Sequence, residues 1–185
     1  MTPRDEAERL VDERLPDRLR DHSRRVATLA AEFAARWSAD PEEAYLAGLL
    51  HDYCRGLTPE EVLARAEAAG LAVGELERAR PRPLLHAPLA AVELRRFGFS
   101  EACLRAVATH TVGGAGMDPL QKSVYLADAI EPGRSYPGVE ELRGLAANSL
   151  DEALRALVRA TIVDLVERRR SIHPGTIALY NELHG

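Results

Sequence analysis

The chain has 185 residues, 46% of them hydrophobic and 29% charged, with a formal net charge of −5. That mix excludes a disordered or fibrous chain, and the length allows a core that buries roughly 70% of the unfolded surface. The negative balance argues against a broad contact with nucleic acid or an acidic membrane, while a local arginine pocket can still hold phosphates.

The opening MTPRDEAERL is charged and lacks the apolar stretch of a secretory signal, and no run reaches the roughly 18 apolar residues of a membrane span, so a cytoplasmic protein is expected. Apolar residues recur at steps of three and four almost throughout, which predicts an all-α, single-domain bundle of about eight to ten helices. A first helix is expected over residues 3–15, with Pro3 at its start and Leu10 and Val11 inward. A second, near 17–37, carries His22, Val26, Leu29 and Phe33 on one stripe, so His22 faces the interior. Asp40 can cap a third helix with Pro41 in its first position; it is expected to run to about Cys54 and to end in the pair His51-Asp52. TPEE has capping-box spacing and should start a helix over about 59–69 that stops at Gly70.

The stretch ARPRPLLHAP reads as an irregular loop, because Pro81, Pro83 and Pro88 forbid a continuous helix there. That leaves His86 on or beside a loop before a helix of about 88–97. Ser100 can cap the next helix, which ends at His110 before GGAGMDP breaks the chain. Asp118 and Pro119 start a helix on which Leu120, Val124, Ala127 and Asp128 share a face, so Asp128 is also inward. EPGRSYPG is a turn, EELRGLAAN a short helix, and residues 150–170 a long one whose basic end suits the helix dipole. SIHPG precedes a last helix near 175–183. The isolated Cys54 and Cys103 read as small core residues rather than a disulfide or thiolate site.

His22, His51, Asp52, His110 and Asp128 thus lie on inward stripes or helix ends of different elements. An uncompensated buried carboxylate costs several kcal/mol, and a divalent cation removes that difficulty. Imidazole nitrogen and carboxylate oxygen together suit Fe, Mn, Co or Zn, and a set without cysteine fits a catalytic site with open positions. The competing reading is histidines bonded to backbone in the core and carboxylates in surface ion pairs.

The segments HSRRV, AGLLHDY, LLHAP, ATHTVG, MDPLQKSVYLADAIEPGR and SIHPGTIALYN together resemble the YqeK family, bacterial symmetrical hydrolases of diadenosine tetraphosphate within the HD superfamily of metal-dependent phosphohydrolases. The resemblance runs from about residue 15 to 183. It implies one HD domain over 1–185, with a metal core at about 17–131 and helices in 137–184 completing the substrate pocket. It implies His22, His51, Asp52 and Asp128 as metal ligands, ferrous iron as the ion with Mn, Co or Zn as alternatives, and one or two ions bound. His22 and Asp128 then also border the substrate. His86 and His110 match histidines at the substrate or at a second metal, and Thr111 and Arg134 match positions near the phosphates. The segment His173, Pro174, Gly175, Thr176, Ile177, Ala178 and Leu179 matches the part that closes over the nucleotide.

The implied reaction splits the tetraphosphate bridge into two ADP. Asp52 both ligates and orients the attacking water, His86 or His110 protonates the leaving ADP, and Arg134 offsets the growing phosphate charge. Two positions depart from the family pattern: Arg55 stands where many members have Lys, and Leu19, between Arg18 and Arg20, where they often have Arg. The alternatives are a phosphohydrolase of a nucleoside mono- or triphosphate and a nucleotide-binding regulator without turnover; for His173 the alternative is a helix cap. Neither nucleic acid nor membrane is an expected partner, and the sequence admits a homodimer.

Overall fold

The computed structural model describes residues 2–185. Every regular element among them is helical: α1 (Pro3–Arg14), α2 (Asp17–Arg36), α3 (Pro41–Leu50), α4 (Pro59–Ala68), α5 (Glu75–Ala79), α6 (Pro81–Leu94), α7 (Glu101–Thr109), α8 (Pro119–Ile130), α9 (Val139–Ala146), α10 (Leu150–Glu167) and α11 (Pro174–His184), with a short 3-10 turn at Arg95–Phe97. Local chemistry sets many of the starts. The side chains of Thr2, Asp40, Thr58, Ser100, Asp118 and Ser149 each accept a first-turn N–H, and Pro3, Pro41, Pro59 and Pro119 occupy positions where no donor is lost.

The most extensive packing is between α2 and α3, and α8 lies against both. Small residues bring the first two axes together: Ala27, Ala30, Ala44 and Ala47 are fully buried, and a Cβ on Gly48 would stand 2.8 Å from Ala27 Cα. Val124, Leu126, Ala127 and Ile130 of α8 are buried in the same core. The two cysteines are buried free thiols, and burial pushes Cys54 up to about 12. No helix among the described residues is long and apolar enough to cross a membrane.

Two segments correct the expectation. The stretch ARPRPLLHAP is not an irregular loop, since α6 runs through it from Pro81 to Leu94 and carries both His86 and Pro88 inside the helix. Pro81 and Pro83 fall in its first turn, where N–H groups have no intrahelical acceptor. Pro88 does remove an internal bond, a loss of about 3 kcal/mol in an exposed helix. Burial of Leu85, His86, Ala87, Leu89, Ala90 and Leu94 on this helix outweighs it. The third helix ends at Leu50 instead of Cys54: the chain turns at once, with Tyr53 N–H donating to the Leu50 carbonyl at 3.0 Å and Arg55 N–H to the Asp52 carbonyl at 2.7 Å. The pair His51-Asp52 therefore stands at a helix end, free to aim two successive side chains into one space. The short α5 was not foreseen.

α11 is anchored on the loop after α7. The Thr176 hydroxyl donates to the Val112 carbonyl at 2.9 Å, and the buried Leu179 lies against Gly113, whose φ is +68° and where a Cβ would come 2.5 Å from Leu179 Cδ2. Only glycine meets both demands at 113.

Candidate metal centre

Four histidines from four elements converge, and each is pinned the same way. The Nδ1–H of His51 donates to the Gly48 carbonyl at 2.7 Å, that of His110 to the Val107 carbonyl at 2.7 Å, and that of His86 to the Arg82 carbonyl at 2.8 Å. A carbonyl can only accept, so Nδ1 carries the proton in each ring and Nε2 is left facing inward. His22 Nδ1 is held by the Glu131 carboxylate at 3.1 Å, with the same result. The rings form a row of edge-on contacts, His22 to His51 to His110 to His86, with centroids 5.1, 4.8 and 5.0 Å apart.

Two carboxylates complete the cluster. Asp128 Oδ1 stands 3.0 Å from His22 Nε2 and 3.8 Å from His51 Nε2, while Asp52 Oδ2 stands 3.5 Å from His51 Nε2. The other oxygen of Asp52 faces the far half of the row, 3.3 Å from His86 Nε2 and 3.8 Å from His110 Nε2. There the two Nε2 atoms are 3.2 Å apart, and the Thr111 hydroxyl lies 3.1 Å from His110 Nε2.

A divalent metal fits this set. His51 Nε2 is buried and has no hydrogen-bond partner, on a residue that is 0% exposed, which is an expense the fold incurs for something other than packing. Ligand bonds of about 2.1 Å give ligand-to-ligand edges of roughly 3.0–3.4 Å, and the Nε2-to-oxygen spacings lie at or a little beyond that range. The candidate ligand atoms of His22, His51 and Asp128 lie within 4.8 Å of one another, as do those of His51, Asp52 and His110. Without the ion the carboxylates act on the imidazoles. Burial alone would pull His51 down, yet Asp52 and Asp128 outweigh it and push its pKa up to about 9. At the other end burial, with repulsion from His51 and His86, pushes His110 down to about 3. Burial works against both aspartates, but the neighbouring imidazoles, His51 for Asp52 and His22 for Asp128, hold them well below the usual carboxylate range.

Around the cluster lies a frame that sequence reading passed over. Glu131 is buried and accepts from Arg25 Nε at 2.5 Å and from the Gly133 N–H at 2.5 Å as well as from His22. Against the burial that would raise it, these donors bring its pKa down to about 2. Arg143 donates to the carbonyls of Ile130, Glu131 and Arg134 at 2.9, 2.7 and 2.9 Å, which fixes the loop that follows α8. The only trace of Glu131 in the sequence is its place three residues after Asp128, at the cap that ends α8.

The remaining expected residues fall as follows. Arg134 reaches Asp128 Oδ1 through Nη2 at 2.5 Å, and the same atom lies 3.4 Å from His22 Nε2, on the rim of the cluster. Arg55 Nη1 lies 3.4 and 3.5 Å from the two nitrogens of His86, over the ring. Thr111 is within the cluster, and the contacts of Thr176 and Leu179 bring the start of α11 beside the loop that follows it. His173 itself turns away: its imidazole accepts from the Gly175 N–H at 3.0 Å as a helix cap and meets Glu77 at 3.1 Å. Of the rest of that segment, Pro174 and Ile177 are exposed and Ala178 is half-buried.

Comparison with known proteins agrees with this geometry. Residues 19–133 match the family model described as HD domain. The chain is 35% identical over 182 residues, 97% of each chain, to a protein of Bacillus subtilis (strain 168) named bis(5'-nucleosyl)-tetraphosphatase, symmetrical. It is 33% identical to one of the same name from Staphylococcus aureus (strain NCTC 8325 / PS 47), over 96% of this chain and 92% of that one. A crystal structure from Clostridium acetobutylicum, described as a predicted HD superfamily hydrolase involved in NAD metabolism, superposes with a TM-score of 0.92 at 30% identity, covering 100% of this chain and 98% of that one.

Proposed function

The chain belongs to the HD domain family and, within it, to the symmetrical bis(5'-nucleosyl)-tetraphosphatases, and from that membership we propose that it hydrolyses diadenosine tetraphosphate at the centre of its phosphate bridge, releasing two ADP, in a metal-dependent reaction. The observation that carries the reading is the partnerless Nε2 of His51, buried between two carboxylates and the inward Nε2 atoms of His22 and His110. His22, His51, Asp52 and Asp128 would hold the ion, and we assign ferrous iron, with manganese, cobalt and zinc compatible with the same donors. Bound there, such an ion supplies Lewis-acid polarisation of a phosphoryl oxygen and acidifies water from a pKa of about 15.7 towards 7.

The protein's own groups divide the remaining work. Asp52 presents one oxygen to His51 and the other to His86 and His110, so one carboxylate can ligate and still orient a water proton. His86 and His110 both carry a proton on Nδ1, so their 3.2 Å Nε2 contact is attractive only when a further proton lies between them. A proton held there would be available to the departing ADP oxygen, and the Thr111 hydroxyl beside it could pass or steady it. Arg134, already at the rim, offsets phosphate charge by sharing its Asp128 contact with the substrate. The start of α11, from His173 to Leu179, closes over the nucleotide, with the His173 imidazole serving as its cap and not as a nucleotide contact, and the cytoplasm is the assigned place of action.

Chromatography of the products tests the proposal, with Fe, Mn, Co and Mg supplied in turn. ADP alone, two per substrate consumed, is the expected result. Release of AMP with ATP, or of inorganic phosphate or pyrophosphate from mononucleotides in preference, would replace it with a different phosphohydrolase. Tight nucleotide binding with no turnover under any metal would make the protein a regulator.

A further inference from the structure

Resting on the hydrolase reading above, we infer that the groove beside Arg134 receives the second nucleoside of the substrate, at the end of the cluster opposite to the half that lies under α11. A substrate cut at its centre has a nucleoside on each side of the reacting phosphates, so a single row of catalytic side chains must be flanked by two seats. The row His22, His51, His110, His86 has two ends. At the His110–His86 end stand Thr111 and, past Val112 and Gly113, the first turns of α11. At the His22 end stands Arg134, and the same Arg134 forms a wall of a groove of about 880 Å³ between the loop after α8, α9 and α10.

The groove has the size and chemistry of a nucleoside seat. Small-molecule sites run from roughly 300 to 1,000 Å³. Its floor is apolar, with Leu142 and Leu157 buried at the bottom and Ala129, next in chain to Asp128, at the inner end. At the rim the Tyr136 ring is 38% exposed, and its hydroxyl donates to the Ala129 carbonyl at 2.9 Å, which holds the ring in place before any ligand arrives. Arg143 pins the loop that carries both Arg134 and Tyr136. The outer walls mix Glu141, Asp164 and Glu167 with Arg159 and Arg168, a balance that suits a neutral base and ribose and disfavours a chain of phosphates. The phosphates then stay with Arg134, and the base stacks on Tyr136.

The test compares two substrates on the metal-loaded enzyme: diadenosine tetraphosphate, with a nucleoside at each end, and adenosine 5'-tetraphosphate, with one. The variants are Tyr136→Ala, which removes the stacking ring, and Ala160→Trp, which fills the groove from an exposed position of α10. The ratio of kcat/KM for the dinucleotide to that for the mononucleoside compound should fall roughly tenfold in Tyr136→Ala, the loss of one base–aromatic stacking contact, and further in Ala160→Trp. Calorimetric binding of the two compounds as central-methylene analogues should show the same fall without turnover. An unchanged ratio, or equal losses on both substrates, overturns the assignment. So does an unchanged ratio together with an altered sedimentation coefficient, which would give the groove to a second copy of the chain. Failure of the hydrolase reading itself is separate: the parent enzyme then releases no ADP from the dinucleotide, and both inferences fall.

Discussion

Replacing Glu131 by Gln should weaken metal binding although Glu131 is expected to touch neither metal nor substrate. Its carboxylate receives His22 Nδ1–H at 3.1 Å, Arg25 Nε–H at 2.5 Å and Gly133 N–H at 2.5 Å. A bond to a charged acceptor contributes about 1.5–3 kcal/mol and a neutral one about 1, so the exchange loosens the hold on His22 by about 0.5–2 kcal/mol. The Gln amide also presents an NH₂ to a ring of donors that have no use for it, which adds to the loss. At about 1.4 kcal/mol per tenfold, the expected weakening is ~10-fold or more, within the ~10–100-fold range for partners that orient metal ligands. Titration with Mn(II) against a competing chelator measures it, and circular dichroism verifies that the variant is folded. A folded Glu131→Gln protein with unchanged metal affinity would show that Glu131 does not orient His22 for metal.

Asp52→Ala should lose bound metal and all ADP release while keeping its helical circular dichroism, since Asp52 lies at a helix end and not in the packing between α2 and α3; a fully active variant would refute the site. Metal uptake should release about one proton at neutral pH, because the metal-free His51 is held protonated up to about 9 and must be neutral to ligate. Calorimetry in buffers of different ionisation enthalpy counts that proton, and the count should decline above pH 9. The same shift has a sign for stability of the metal-free protein: the His51 contribution is fully present below its ordinary value of 6.5 and is lost as pH rises through about 9, so thermal unfolding temperature should drop across that window. Gly48→Ala should destabilise by about 1–3 kcal/mol, the usual range for overpacking, because its new methyl would meet Ala27 Cα at 2.8 Å and press α2 from α3. Denaturant unfolding reads the loss, and weaker metal affinity should accompany it because His22 and His51 ride on those two helices.

Much of the fold was legible because its signals are local. Asp40-Pro41, the TPEE box and Asp118-Pro119 mark helix starts through caps, and the stripe that carries His22 is periodic over about three turns. The stretch around His86 was not, because proline penalties are local while the burial that overrides them on α6 comes from α4 and α7. In the site, the inward histidines and aspartates stand out as polar residues on apolar faces. Glu131 does not, since it adjoins a proline-glycine turn and its burial depends on Arg25, 106 residues away. The His173 imidazole likewise reads equally well as a ligand contact or a cap, and only coordinates place it on Gly175 and Glu77.

The central claim is that one cation is shared by side chains from α2, α8 and the end of α3. Anomalous diffraction from crystals of the anaerobically iron-loaded protein measures this directly. The account expects a peak bonded to Nε2 of His22 and His51 and to oxygens of Asp52 and Asp128. A fully loaded crystal with its metal elsewhere, and His51 Nε2 still without a partner, would contradict it.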